Sequence, residues 1–239
     1  MFEFGILGPV EVRADGAPVP ISAAKLRTLL AALLLRSNRT VPTTTLIEHV
    51  WGDQPPQRGV AALQNYVMRL RHVLGDSLIR TTPGGYSISL APSQLDLTRF
   101  VQLAAEAASA APATRSRLLA AALELWRGPA LEGIPSLPLQ RAEVPRLEEL
   151  RLDAVEQRID ADLELGLHGA LVSELRSLTA QHPLRERFWH QLMLALRRSG
   201  RRAEALAAYR SVSELLSEEL GLDPGPELRE QFAAILQAS

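Results

Sequence analysis

Between Val41 and Leu90 the chain carries a punctuation that few folds can accommodate. The segment Thr43 to Val50, with Leu46, Ile47 and Val50 at helical spacing, runs into Trp51-Gly52-Asp53-Gln54-Pro55-Pro56. The proline pair lacks backbone donors and forbids helix continuation, so a turn must follow. In the longer basic helix that comes next, Leu63, Val67, Leu70 and Leu74 fall at i, i+4, i+7 and i+11 as one narrow apolar stripe. Two apolar runs follow, Leu78 to Thr81 and Tyr86 to Leu90, separated by Thr82-Pro83-Gly84-Gly85, which is the residue chemistry of a hairpin turn. Helix, turn, helix and hairpin are expected in that order.

Ahead of them, Phe2/Phe4 and Val10/Val12 alternate around Gly-Pro and Asp-Gly turn signals, which predicts a small antiparallel sheet from Phe2 to Val19. Lys25 to Leu35 is almost wholly apolar after its first turn and predicts a buried helix ending near Ser37-Asn38. Asn38-Arg39-Thr40 therefore reads as a turn after a helix rather than as a glycosylation acceptor. This succession is the plan of a winged helix-turn-helix, whose last helix enters the DNA major groove. At about 100° per residue, the face opposite the apolar stripe carries Arg58, Ala61, Asn65, Met68, Arg69 and His72, with Gln64 and Arg71 on one flank. Arg bonds guanine bidentately, Asn and Gln bond adenine, and a flanking Arg takes a phosphate. Any amphipathic helix needs a polar outer face, so the hairpin, rather than the helix alone, argues for a DNA-reading role.

A net charge of −1 argues against a generically basic nucleic-acid binder, but the charge is unevenly placed. Residues 1–95 hold nine Lys+Arg against six Asp+Glu, a balance of +3, and the remainder is at −4. Four of those nine cations, Arg58, Arg69, Arg71 and Arg80, fall in the second helix or the hairpin, a local phosphate-binding footprint. Without cysteine, neither a disulfide framework nor a thiolate metal site is possible. The longest apolar run, Leu29 to Leu35, is far shorter than the roughly 18 residues of a membrane span, so no membrane partner is expected. No basic region precedes an apolar one at the N-terminus, so no signal peptide is read and a cytoplasmic location is expected.

Residues 91–95, Ala-Pro-Ser-Gln-Leu, read as a short linker between a domain of residues 1–95 and one of residues 96–239. Beyond it, Leu118 to Trp126, Val144 to Leu165, Ala170 to Ala180, Leu184 to Arg198 and Ala203 to Leu220 keep a helical period, punctuated by Gly128-Pro129, Gly166, Pro183, Gly200 and Gly221. Ala161 and Gly166 recur as Ala195 and Gly200, 34 residues on, the period of tetratricopeptide hairpins. Stacked helix pairs present a concave surface, so this half reads as an interaction domain. The expected fold is mostly α with small β elements: a winged helix-turn-helix followed by an all-α, tetratricopeptide-like helical repeat domain.

Trp51, Trp126 and Trp189 sit in apolar helical patterns and are expected in cores. The histidines, His49, His72, His168, His182 and His190, stand at no convincing metal-ligand spacing. Arg197-Arg198 and Arg201-Arg202 read as a solvated helix end. Asp160, Asp162 and Glu164 read as a solvated acidic stretch, since neighbours two apart point to different faces of a helix. There is no nucleophile elbow, His-Glu-x-x-His, dinucleotide loop or cysteine nucleophile, so no enzyme activity, metal or cofactor is expected.

In the first half, Phe4-Gly5-Ile6-Leu7-Gly8-Pro9, Leu46-Ile47 with Trp51-Gly52-Asp53 and Pro55-Pro56, Tyr66 to Arg71, and Gly85-Tyr86 form an ordered set. In the second, so do Asp96 to Phe100, Ala122 to Pro129, His182 to Arg187, Gly200-Arg201 with Glu204-Ala205-Leu206, and Glu219 to Pro224. Together they resemble the Streptomyces antibiotic regulatory protein family, an OmpR-type winged helix joined to a bacterial transcriptional activator domain. The resemblance implies an activator of a secondary-metabolite (antibiotic) gene cluster. Such an activator binds promoter direct repeats in double-stranded DNA as a head-to-tail homodimer and recruits RNA polymerase holoenzyme.

By motif position, residues 58–74 would be the base-reading helix, presenting Arg58, Gln64, Asn65, Met68, Arg69, Arg71 and His72. The wing, from Arg80 through Thr81 and Thr82 to Tyr86, would lie on the adjacent minor groove or its phosphates. Lys25 and Arg27 stand where the family carries a basic pair before its first helix, and take phosphate contacts by that resemblance. Leu26 and Met68 depart from residues that are usually polar in the family, which leaves a thymine-methyl contact as the alternative at Met68. Larger relatives append an ATPase module with a phosphate-binding Gly-rich loop; no Gly-x-x-x-x-Gly-Lys is present here, so nucleotide hydrolysis is not expected from these residues. The competing reading is a helical-repeat adaptor or ligand-sensing protein whose winged helix does not bind DNA.

Overall fold

The computed structural model describes residues 1–237. Two small sheets and ten helices appear among the described residues, and packing gathers them into two compact units. The first comprises residues 1–105 with 121–152, and the second residues 106–120 with those from 153 onward.

The first unit opens with β1 (Phe2–Gly5), β2 (Glu11–Ala14) and β3 (Ala17–Pro18), an antiparallel sheet in that order. Asp15 and Gly16, at φ 51° and 81°, make the two-residue turn between β2 and β3, as an Asp-Gly pair favours. α1 (Ala24–Leu34) buries Leu26 and everything from Thr28 to Leu34, because a helix apolar on all sides can only be stable inside a core. Beyond α1 the chain turns at Asn38, whose backbone is left-handed (φ 63°) and whose side chain meets Leu90. Asn38 Nδ2 donates to the Leu90 carbonyl, and Leu90 N–H donates to Asn38 Oδ1, both at 3.0 Å.

β4 (Val41–Pro42) leads into α2 (Thr43–Trp51) and α3 (Gly59–Leu74), and β5 (Ile79–Thr82) and β6 (Gly85–Ile88) form the hairpin. The hairpin turn narrows to Pro83-Gly84, with Thr82 opposite Gly85. Proline followed by a glycine at φ 80° suits a type II turn. The second sheet has the order β4–β6–β5, so the hairpin is anchored by a third, two-residue strand that no periodicity in the sequence announces. Pro42 fits there because an edge strand can dispense with one donor.

Residues 91–95, expected as a linker, are built into the first unit. Pro92–Gln94 make a single 3₁₀ turn, Gln94 Nε2 donates to the Phe2 carbonyl at 3.0 Å, and Leu95 is buried in a parallel bridge with Phe4. α4 (Asp96–Ala108), the end of α5 (Pro112–Leu123) and the first half of α6 (Leu137–Glu164) continue this unit. Packing thus draws its boundary away from residue 95. The reason is the Asp96 carboxylate, which accepts from the backbone N–H groups of Ile6 and Leu7 at 2.9 Å and of Leu97 at 2.7 Å, and from Arg127 Nη2 at 3.2 Å. Arg127 N–H in turn donates to the Leu7 carbonyl at 2.8 Å, and Trp126 packs edge-on against Phe100.

The second unit contains α7 (His168–Gln181), α8 (Glu186–Arg198), α9 (Arg202–Leu220) and α10 (Pro226–Gln237) with the second half of α6. The 34-residue repeat is physical. Leu167 N–H closes the end of α6 on the Asp162 carbonyl at 3.0 Å, and Arg201 N–H closes α8 on the Leu196 carbonyl at 2.9 Å, with Gly166 and Gly200 at φ 83° and 75°. Ala161 and Ala195 are both fully buried, where only a small side chain lets the neighbouring helix approach.

The basic run keeps Arg198 and Arg202 exposed as its sequence suggested, whereas the acidic run is only partly solvated, with Glu164 exposed, Asp160 half-buried and Asp162 buried. Asp162 is buried and accepts from Ser116 Oγ and Arg158, Asp160 accepts from Gln191 and Arg187, and Glu164 pairs with Arg115. Arg198 and Arg202 donate to the carbonyls of Leu163 and Leu236, and Arg201 pairs with Glu204. Spacing along one helix says which way a side chain points, but a neighbouring helix can approach on more than one side.

His190 lies in this unit with its Nδ1 buried and unpartnered among the described residues. Burial, then the neighbouring Arg187, hold its pKa below the ordinary 6.5. The folded state therefore binds fewer protons than the unfolded chain just below pH 6.5, so this contribution is complete above 6.5 and is lost as pH falls through the folded value. The urea midpoint is expected to drop between about pH 7.5 and about pH 5.5, and His190→Gln to flatten that slope. An unchanged slope in the variant would assign the effect to other groups.

Candidate nucleic-acid interface

Leu63, Val67, Leu70 and Leu74 are all buried, which fixes the rotation of α3 about its axis. The opposite face then turns out Arg58, Ala61, Gln64, Asn65, Met68, Arg69 and His72, all exposed. Beside it the hairpin exposes Arg80 and Thr81, and α1 exposes Lys25 in its first turn. The apolar stripe, with Ile79 and Ile88 buried beneath the hairpin, carries these groups on a rigid base.

Arg13, Arg36, Arg127 and Arg146 have carboxylate partners, whereas among the described residues no carboxylate pairs with Lys25, Arg58, Arg69 or Arg80, a state they share in this unit with Arg39, Arg99 and Arg141. Unpaired cations on one face are what a polyanion can neutralise with release of its counterions.

Aromatic rings place two of these cations. Trp51, at the end of α2, meets Tyr66 of α3 edge-on with centroids 5.6 Å apart. Lys25 Nζ stands 5.4 Å from the Trp51 ring and Arg69 Cζ 5.7 Å from the Tyr66 ring. Trp51 is half-buried rather than a core residue, and with Tyr66 it forms a platform that sequence reading missed. The only signal was an aromatic pair on successive helices.

Two residues expected at DNA, Arg71 and Arg27, are engaged within the protein, and the hydroxyl of a third, Thr82, is turned away from solvent. Arg71 donates through Nε to the Ile79 carbonyl at 3.0 Å and through Nη2 to Thr81 Oγ1 at 2.9 Å, bracing the hairpin against α3. Arg27 Nη1 donates to the carbonyls of Ile21 at 3.1 Å and Ser22 at 2.7 Å, holding the loop that enters α1. The Thr82 hydroxyl is buried without a partner among the described residues.

Residues 95–236 match the family model described as "Bacterial transcriptional activator domain", and residues 18–88 match "Transcriptional regulatory protein, C terminal". The chain is 47% identical to the regulatory protein AfsR of Streptomyces coelicolor over 98% of its own length, and it spans about a quarter (24%) of that relative. It is 37% identical to the regulatory protein DnrI of Streptomyces peucetius, covering 99% of this chain and 92% of that one. A solved structure of Mycobacterium tuberculosis EmbR in complex with a low-affinity phosphopeptide superposes with a TM-score of 0.95 at 36% identity, over 99% of this chain and 65% of that one. No helix among the described residues is long and apolar enough to cross a membrane.

Proposed function

Because this chain belongs to the Streptomyces antibiotic regulatory protein family, we propose that it is a sequence-specific, DNA-binding transcriptional activator acting in the cytoplasm by binding rather than by catalysis. α3 enters the major groove, and the β5–β6 hairpin lies on the adjacent minor groove or its phosphates. Two copies sit head to tail on promoter direct repeats, and the helices beyond residue 95 recruit RNA polymerase at genes of secondary metabolism. The observation that carries this reading is the unpaired cationic face of α3, flanked by the exposed Arg80 of the wing. In this scheme Asn65 and Arg69 read base edges, Arg58, Arg80 and Lys25 take phosphates, and Arg71 sets the angle of the wing.

Asn65→Ala and Arg69→Ala are expected to cost on the order of 1–3 kcal/mol each at the preferred site and to relax base preference there. Arg80→Ala is expected to weaken all sequences alike and to reduce the salt slope by about 1. Selection of random duplexes at two salt concentrations tests the whole. Enrichment of a direct repeat spaced by about one helical turn, with a log–log salt slope near −4 to −5 for about four to six phosphates, is the expected result. No enrichment at either salt would replace this function by that of a helical-repeat adaptor.

A further inference from the structure

Met68 lies on the outward face of α3, with Asn65 one turn before it, His72 one turn after it and Arg69 beside it, and it is 61% exposed. Two other large apolar residues of α3 are also exposed, Val60 and Val73. At about 100° per residue they fall roughly 130° and 90° from the centre of that face, whereas Met68 falls about 50° from it. Met68 is therefore the large apolar group placed among the hydrogen-bond donors of the proposed reading face. With Pro20, Ile21, His72 and Val73 it lines a surface groove of about 400 Å³. A thioether side chain left in water forgoes the free energy of burial, and it is flexible enough to fit an irregular apolar neighbour.

On the major-groove edges of the four bases, the apolar group on offer is the C5-methyl of thymine. We propose that Met68 is a specificity-determining residue that selects a thymine by packing against that methyl, between the base contacts of Asn65 and Arg69. The inference rests on α3 being the base-reading helix and adds which base its Met68 position selects. It requires an invariant thymine in each repeat of the enriched duplex.

The test uses the full chain and the tightest duplex recovered from the random library, with each thymine replaced in turn by deoxyuridine, which removes the methyl and nothing else. At one thymine per repeat, deoxyuridine is expected to weaken binding about three- to tenfold. Met68→Gln is expected to abolish that difference and Met68→Leu to keep it. Because the side chain is exposed, both variants should unfold at the wild-type urea concentration, which separates a lost contact from a lost fold. Indifference to deoxyuridine at every position, or a preference for thymine that survives Met68→Gln, would overturn the assignment while leaving DNA binding intact. Absence of any enriched duplex would overturn both.

Discussion

Asp96→Ala is expected to destabilise the full chain by about 3–5 kcal/mol, measured as a fall in the urea midpoint. The carboxylate is buried and receives the N–H groups of Ile6, Leu7 and Leu97 together with the Arg127 guanidinium. Its removal strands backbone donors in the interior and leaves Arg127 with Glu11 as its remaining carboxylate. Asp96→Asn, which keeps one acceptor oxygen but loses the charge, should fall in between. A loss below about 1 kcal/mol for the alanine variant would mean that water replaces the carboxylate at little cost. The same reasoning applies to a fragment of residues 1–95, which lacks both Asp96 and the 127–132 segment that bonds Ile6, Leu7 and Gly8. Such a fragment is expected to unfold at a lower urea midpoint than the full chain.

Gly85→Ala is the second large effect. A methyl at this position would stand 2.0 Å from the Val41 carbonyl oxygen, 2.8 Å from its carbon and 3.1 Å from the Pro42 Cα. Because the obstacle is backbone, no side-chain rotation relieves it, and β4 must part from β6. The expected cost is about 3 kcal/mol, at the upper end for overpacking. Duplex affinity should fall with stability, since Arg80 and the brace from Arg71 to Thr81 ride on this hairpin. Gly84→Ala is the control: its added methyl meets open space, and only the φ of 80° is strained, at about 1 kcal/mol. If Gly85→Ala bound duplex as the wild type does, the anchoring of the wing by β4 would be irrelevant to recognition.

Thr43 N–H and Oγ1 both donate to the Gly84 carbonyl, so the tip of the wing is also tied to the first turn of α2. The hairpin and the helix-turn-helix are thus joined at Val41–Thr43 as well as through Arg71 and Asn38. Neither the join at Val41–Thr43 nor the one through Arg71 has a signature in the sequence. A two-residue strand is too short for alternation to register, and an arginine on a helix looks alike whether it meets a phosphate or a carbonyl.

Wherever one element's own geometry sufficed, the sequence by itself determined the outcome. The stripe Leu63, Val67, Leu70 and Leu74 settled which side of α3 is buried and so which residues face out, because 3.6 residues per turn leave no other assignment. Pro83-Gly84 settled the turn of the hairpin, and the 34-residue recurrence of Ala161/Gly166 as Ala195/Gly200 settled where two helices of the second unit end. Tertiary structure alone decided the partners. It gave Asp96 to the backbone of Ile6 and Leu7, tied Arg27 and Arg71 to backbone carbonyls, buried Asp162, set Trp51 and Tyr66 beside Lys25 and Arg69, and left Met68 in water. Periodicity is a local property fixed by bonds within a few residues. A charged side chain has its energy set by whatever packing brings to within about 3 Å of it, often from tens of residues away along the chain.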